Sequence, residues 1–172
     1  TRPLNMYETS LHIPLIISGA GIESLPANDH YVDHYDTFRT ICDLAGVPLQ
    51  HPEQFPGTSY ADLLREKSIA WEDTRYGEYG DLRMIRNRQW KLIIRYPDGP
   101  HELFDLVHDP EETTNVFAEH PETVAQLQHK LDDFYARYDD PQSSGLRVKD
   151  LPRHNLANEA WRDGRREAHR KH

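Results

Sequence analysis

Two histidines four residues apart, His30 and His34, have the spacing that lets a helix present a zinc pair, with Asp33 and Asp36 close by. No H-E-x-x-H pattern accompanies them, and a helix start with solvated side chains is the simpler reading. A second group, Glu78, Asp81, Arg83 and Arg86, brackets a turn. An arginine there can read a substrate anion through bidentate contacts, against the plainer reading of ion pairs with acidic neighbours. Cys42 is the only cysteine, so the chain can form no internal disulfide and no cysteine-based zinc site. It lies on the apolar side of a predicted helix, where a thiol is buried and inert. Near the C-terminus Arg162, Arg165, Arg166, Arg170 and Lys171 cluster around Trp161, which reads as a solvated or subunit-clasping arm. None of these groups is a complete catalytic constellation.

The elements that position them are legible from periodicity. Arg83 to Arg86, Trp90 to Tyr96 and Glu102 to Val107 are short runs rich in apolar residues, with Pro97-Asp98-Gly99-Pro100 as turn chemistry between the last two. With Tyr76 to Tyr79 they predict an antiparallel meander of three or four strands. Pro121 to Tyr138 predicts a helix with proline in its first turn and Val124, Leu127, Leu131, Phe134 and Tyr138 on its buried side. Val32 to Ala45 predicts another, with Tyr35, Phe38, Ile41, Cys42 and Ala45 as its apolar stripe and Gly46 to stop it. Ser59 to Glu66 reads as a short helix turning Leu63 and Leu64 inward. Leu15 to Ile17 reads as a strand buried on both faces, which needs sheet neighbours lying upstream.

The chain has 172 residues, of which 37% are hydrophobic, and a net charge of −9. Residues 146–172 carry eight Lys and Arg against four Asp and Glu, which leaves −13 on residues 1–145. An acidic body argues against nucleic acid as a partner, and the basic arm suits an acidic neighbouring subunit, hence a homo-oligomer. No apolar run approaches a membrane span in length. One cysteine suits an oxidising or a reducing compartment alike, so the sequence assigns no localisation.

Taken in order, these pieces resemble the type I (formylglycine-dependent) sulfatases, the arylsulfatase group. Met6-Tyr7-Glu8-Thr9-Ser10-Leu11-His12-Ile13-Pro14-Leu15-Ile16-Ile17 is similar to a segment reading M-Y-E-x-S-x-R-V-P-L-I-I. Asp43-Leu44-Ala45-Gly46-Val47 matches a helix end reading D-L-A-G-V, and Gly57 to Leu64 matches G-x-S-L-x-x-L-L. Arg83-Met84-Ile85-Arg86 with Trp90-Lys91-Leu92-Ile93, then Glu102-Leu103-Phe104-Asp105-Leu106 with Asp109-Pro110-Glu111-Glu112-Thr113-Thr114-Asn115, match R-x-x-x-y-K-L-I and E-L-Y-D-L-x-x-D-P-x-E-x-x-N.

The resemblance implies an α/β, alkaline-phosphatase-like fold, α+β within this stretch, whose C-terminal part is a small antiparallel sheet on a long helix. On that reading residues 1–70 are the last strand and helices of a large N-terminal domain, 71–145 a C-terminal subdomain, and 146–172 a basic arm. The implied reaction is hydrolysis of sulfate esters, small molecules or saccharides, with formylglycine as nucleophile and calcium on the sulfate oxygens; a phosphonate or phosphodiester hydrolase of the same superfamily is the alternative. A stand-alone binding module is a further alternative, opposed by the partnerless strand. This chain departs from the catalytic list. Cys42 is followed by Asp-Leu-Ala rather than x-P-S-R, and the family's metal ligands and last sulfate-contacting lysine belong upstream of Thr1. No catalytic residue, metal ligand or cofactor site is therefore expected here. The expected partner is the N-terminal catalytic portion of the same protein. Tyr7, Glu8 and His12 fall where the family chain leaves the active site, and with Arg83 they are the candidates for lining the substrate pocket; a structural, hydrogen-bonded His12 is the simpler reading.

Overall fold

Alternation along four short strands builds a sheet with two working faces. The structure, a computed structural model, describes residues 5–19, 21–22, 26–65, 67 and 69–150, without the side chains of 148–150. The strands β1 (Arg75–Tyr79), β2 (Leu82–Arg86), β3 (Trp90–Arg95) and β4 (Glu102–Asp105) pair antiparallel in the order β1-β2-β3-β4. Tyr79 pairs with Leu82, so Gly80 and Asp81 form a two-residue hairpin, and Gly80 takes the positive φ of 61° that the turn needs. At the next turn the Asn87 side chain accepts the N–H groups of Gln89 and Trp90.

Register decides what each face carries. Ile85, Leu92 and Leu103 lie opposite one another on the front. There they meet Leu127, Leu131 and Tyr135 of a helix that runs Pro121–Tyr138. The predicted span of this helix is the observed one, and Tyr135 joins the buried stripe. On the back, Leu82, Met84, Ile93 and Phe104 are covered by Met6 and Tyr7. The N-terminal segment thus takes the place a second helix would fill. Gly77 makes this approach close, because a Cβ there would lie 2.6 Å from the Met6 Cε.

We number the helices α1 (Glu8–Leu11), α2 (His34–Leu44) and α3 (Pro121–Tyr138). α2 starts at a capping box in which Asp33 and Asp36 accept each other's backbone N–H. It stops at Gly46, whose φ is 66°.

Three expectations are corrected. The α2 stripe faces outward: Tyr35, Phe38 and Ile41 are exposed, Cys42 is half-buried, and the buried residues are Asp36 and Thr40. The side of α2 turned to the chain is stitched by polar contacts, with Asp36 accepting the Thr58 N–H at 2.7 Å and Thr40 the Tyr60 N–H at 2.9 Å. Leu15 to Ile17 forms no strand, and Leu15 and Ile16 are exposed, since no described strand offers this segment hydrogen-bonding partners. The Ser59 helix shrinks to a 3-10 turn at Leu63–Arg65, and Tyr60 and Ala61 are buried instead of Leu63 and Leu64. Beyond a 3-10 turn at Gly145–Asp150, the arm, its Trp161 cluster and the helix expected near Asn158 to Ala168 lie outside the described residues.

Candidate functional site

The back of the sheet holds a buried polar cluster at its centre. Alternation along β3 sends Trp90, Leu92 and Ile94 forward and Lys91, Ile93 and Arg95 backward. Lys91 is consequently 0% exposed, a position lysine occupies only when its charge is paired. Its Nζ donates to the Met6 carbonyl at 3.0 Å and lies 2.6 Å from Glu8 Oε1 and 2.5 Å from Glu112 Oε1. The other Glu112 oxygen accepts the Glu8 backbone N–H at 2.7 Å. Arg86, opposite Lys91 in the register, pairs with Glu8 Oε2 and lays its guanidinium on the Tyr31 ring. Burial pushes the Glu8 carboxyl up, but Lys91 and Arg86 outweigh it, and the group titrates below the usual carboxylate range.

Tyr7 extends the cluster along the strand. Its hydroxyl donates to Glu102 Oε1 at 2.8 Å, its ring meets Phe104 edge-on, and Glu102 in turn pairs with Arg95 at 3.4 Å. Three carboxylates, Glu8, Glu102 and Glu112, thus match three cations, Arg86, Lys91 and Arg95. A charge-balanced, buried arrangement of this kind fixes geometry, although the Nε atoms of Arg86 and Arg95 have no hydrogen-bond partner within it.

The predicted site residues separate. Tyr7 and Glu8 come together on the back face. His12 is exposed, and its ring makes no hydrogen bond to a described residue. Arg83 lies on the front, where its guanidinium is committed to Glu78 at 2.7 Å, Asp139 at 2.8 Å and Ser144 at 3.2 Å and sits 3.8 Å from the Tyr135 ring centre. Burial pulls its pKa down, and the two carboxylates more than restore it. His30 and His34 are not brought together: His30 engages Asp73 at 3.4 Å and His34 is exposed. Among the described residues no group of three or more His, Cys, Asp or Glu is arranged to hold a metal ion.

Sequence reasoning passed over Lys91, Glu102 and Glu112 as site residues. The signal for Lys91 was present, because a strand apolar on both faces must bury whatever cation it carries. Glu112, which reaches the cluster from the loop after β4, is the Glu of the D-P-x-E motif, but the motif does not say which cation it meets.

On the α3 side of the sheet a cleft of about 340 Å³ opens between the start of α2, residues 56–58, residues 70–72 and 74–76, and the end of α3. The Arg75–Asp36 pair, at 3.1 Å, lies at its base. Tyr76 and Phe134, stacked 4.0 Å apart, form one wall. Burial is the main reason the Asp36 carboxyl is raised.

Comparison with known proteins agrees with the arrangement of motifs. Residues 4–137 match the family described as N-sulphoglucosamine sulphohydrolase, C-terminal. Arylsulfatase K of Canis lupus familiaris is 34% identical over 146 residues, covering 74% of this chain and 26% of that protein. A protein designated a sulfatase from Bacteroides thetaiotaomicron superposes with a TM-score of 0.63 at 26% identity, over 88% of this chain and 34% of its own. A structure solved in complex with its substrate D-glucosamine-2-N,6-O-disulfate superposes at 0.50 with 28% identity, over 63% of this chain and 25% of its own. This chain spans about a quarter of the length of the curated relatives it matches. The four-stranded sheet, the helix across it and the clamped M-Y-E segment are the C-terminal part of an alkaline-phosphatase-like sulfatase fold, and the chain belongs to the N-sulphoglucosamine sulphohydrolase C-terminal family.

Proposed function

We propose that this chain is the C-terminal region of a sulfuric ester hydrolase, that it completes the fold and shapes the substrate pocket, and that it is inactive alone. The observation that carries the reading is the meeting of three separate family motifs in one cluster: Glu8 of M-Y-E, Lys91 of W-K-L-I, and Glu112 of the loop after E-L-F-D-L. Motifs distant in sequence that lock together argue that the chain keeps the family's architecture. The exposed Ile13, Leu15, Ile16, Phe38 and Ile41 give it an apolar side that suits the upstream catalytic portion of the same protein.

The described residues do not fit the cofactors of the family. No acidic cluster suits calcium, and Cys42 stands on α2 without the motif around a formylglycine precursor. Both groups, and the nucleophilic step, belong on this reading to the upstream portion. A saccharide sulfate is the favoured substrate class, supported by the relative solved with a sulfated glucosamine. The basic arm is proposed as a homo-oligomer contact.

The deciding experiment expresses the chain with its upstream residues and measures sulfate release from an aryl sulfate and from glucosamine N- and 6-O-sulfates. Sulfate release by the long form, and none by residues 1–172 alone, is the expected result. Turnover confined to phosphonate or phosphodiester substrates would replace the sulfatase reading with its superfamily alternative. Cooperative unfolding of residues 1–172 as a soluble monomer, with no apolar surface accessible to dye, would favour a stand-alone module.

A further inference from the structure

We propose that Lys91 is a positioning residue for the hydrolase, holding residues 6–8, and through them the chain that precedes them, in one register on the back of the sheet. The proposal rests on the sulfatase reading for its effect on turnover, and on the geometry of this chain alone for the anchoring itself.

Three features single Lys91 out. Its ammonium touches three oxygens from different parts of the chain: the Met6 carbonyl, Glu8 on α1, and Glu112 in the loop after β4. Three contacts converging on one point fix both the position and the direction of the segment, which the sliding apolar contact of Met6 alone does not. Glu112 is also the one non-glycine among the described residues at positive φ, 56°. A side chain there adopts a conformation that surrounding contacts must hold. Those contacts are the Lys91 ion pair and the N–H of Glu8, so Lys91, Glu112 and Glu8 close a ring. Finally, replacing a whole buried ion-pair cluster by apolar residues of similar volume is commonly neutral or stabilising for folding. Retaining a fully buried lysine at this point supplies register where an apolar side chain supplies only adhesion.

The position of the segment gives the ring its importance. The family match begins at residue 4, and residues 6–8 lie against the back of the sheet near the start of the described residues. The chain covers about a quarter of its curated relatives, and on the sulfatase reading the catalytic portion precedes this attachment. Displacement at Met6 to Glu8 therefore passes to whatever precedes them.

The test uses the long form of the protein and three variants: Lys91→Met, the charge-balanced double Lys91→Met/Glu112→Gln, which leaves Glu8 paired with Arg86, and Leu131→Ala as a destabilised control on the opposite face. Lys91→Met is expected to lower kcat about 10- to 100-fold, in line with the cost of an ångström-scale misplacement. The double variant should regain much of the lost melting temperature without regaining kcat, and Leu131→Ala should keep kcat within about twofold while folded. Recovery of kcat in step with melting temperature across the three variants would overturn the proposal, since that is what a purely structural role gives. Amide hydrogen exchange supplies a readout free of activity. Lys91→Met should deprotect residues 6–12 and Leu131→Ala should not; unchanged protection there overturns the anchoring. If the unsubstituted long form releases no sulfate, the sulfatase reading falls, and the exchange result still decides whether Lys91 anchors the segment.

Discussion

At Glu8 two opposing pressures meet, and the cations win. Burial alone raises a carboxyl, while Lys91 and Arg86 depress this one below its unfolded value of about 4.3. A depressed folded value means the stability from Glu8 is fully present above that unfolded pKa and is lost as pH falls through the folded one. Urea midpoints measured from pH 7 down to 3 should therefore show an acid limb that is shallower in Glu8→Gln. Asp36 has the opposite sign, because its carboxyl is raised mainly by burial, so its protonation relieves a cost as pH falls. Removing the cation is harsher than removing one anion. Lys91→Met leaves Glu112 buried without a counter-charge and Glu8 with Arg86 alone, and should lower the unfolding free energy by about 3–5 kcal/mol in denaturant titration. Two glycines offer a sharper contrast. A Cβ at Gly57 would lie 2.6 Å from the Tyr35 backbone, at a φ of +91°, whereas at Gly77 it meets the mobile end of Met6. Gly57→Ala should cost more than about 1 kcal/mol, and Gly77→Ala distinctly less. Of these residues the sequence singled out Glu8, through a family motif. Lys91 stood inside another motif without being recognised as the partner, because no local pattern names which carboxylate a buried lysine meets.

Periodicity fixes which residues of an element share a face, but not what lies against that face. For α3 and the sheet the two questions have one answer, since the chain itself supplies both sides, and spans and faces were both legible. Leu131 is 0% exposed at their contact, so Leu131→Ala should lower stability by about 2–5 kcal/mol, read as a shift in the urea midpoint at unchanged slope. For α2 the answers separate. Its capping box and terminal glycine set the ends where the pattern placed them, yet the apolar stripe points away from the described chain. Leu15 to Ile17 failed for the same physical reason, because strand hydrogen bonds require a neighbour, and hydrophobicity along one segment cannot create it. The Ser59 helix was lost to competition: Thr40 and Ser59 hydroxyls take the N–H groups of Tyr60 and Ala61.

Across the whole molecule, the exposed apolar residues divide its behaviour alone from its behaviour in a longer chain. Ile16 is 91% exposed and Ile41 61%, so Ile16→Ser and Ile41→Ser should change the stability of residues 1–172 by no more than about 0.5 kcal/mol. In the long form the same substitutions should lower the melting temperature by several degrees, measured by differential scanning fluorimetry, if this side packs on the upstream portion. Equal, negligible shifts in both forms would remove that packing.

The ring around Lys91 also has a temporal meaning. Glu8 and Glu112 are 104 residues apart in sequence. At a synthesis rate of roughly 5–20 residues per second, the ribosome takes roughly 5–20 s to travel between them. During that interval the segment at Met6 to Glu8 has emerged or is emerging, and its lock has not yet been made. Whatever precedes it is free to fold, or to be modified, before the C-terminal sheet fastens on. The ring therefore acts as a late closure in biosynthesis, made only after the sheet and the loop beyond β4 have followed the segment that they lock.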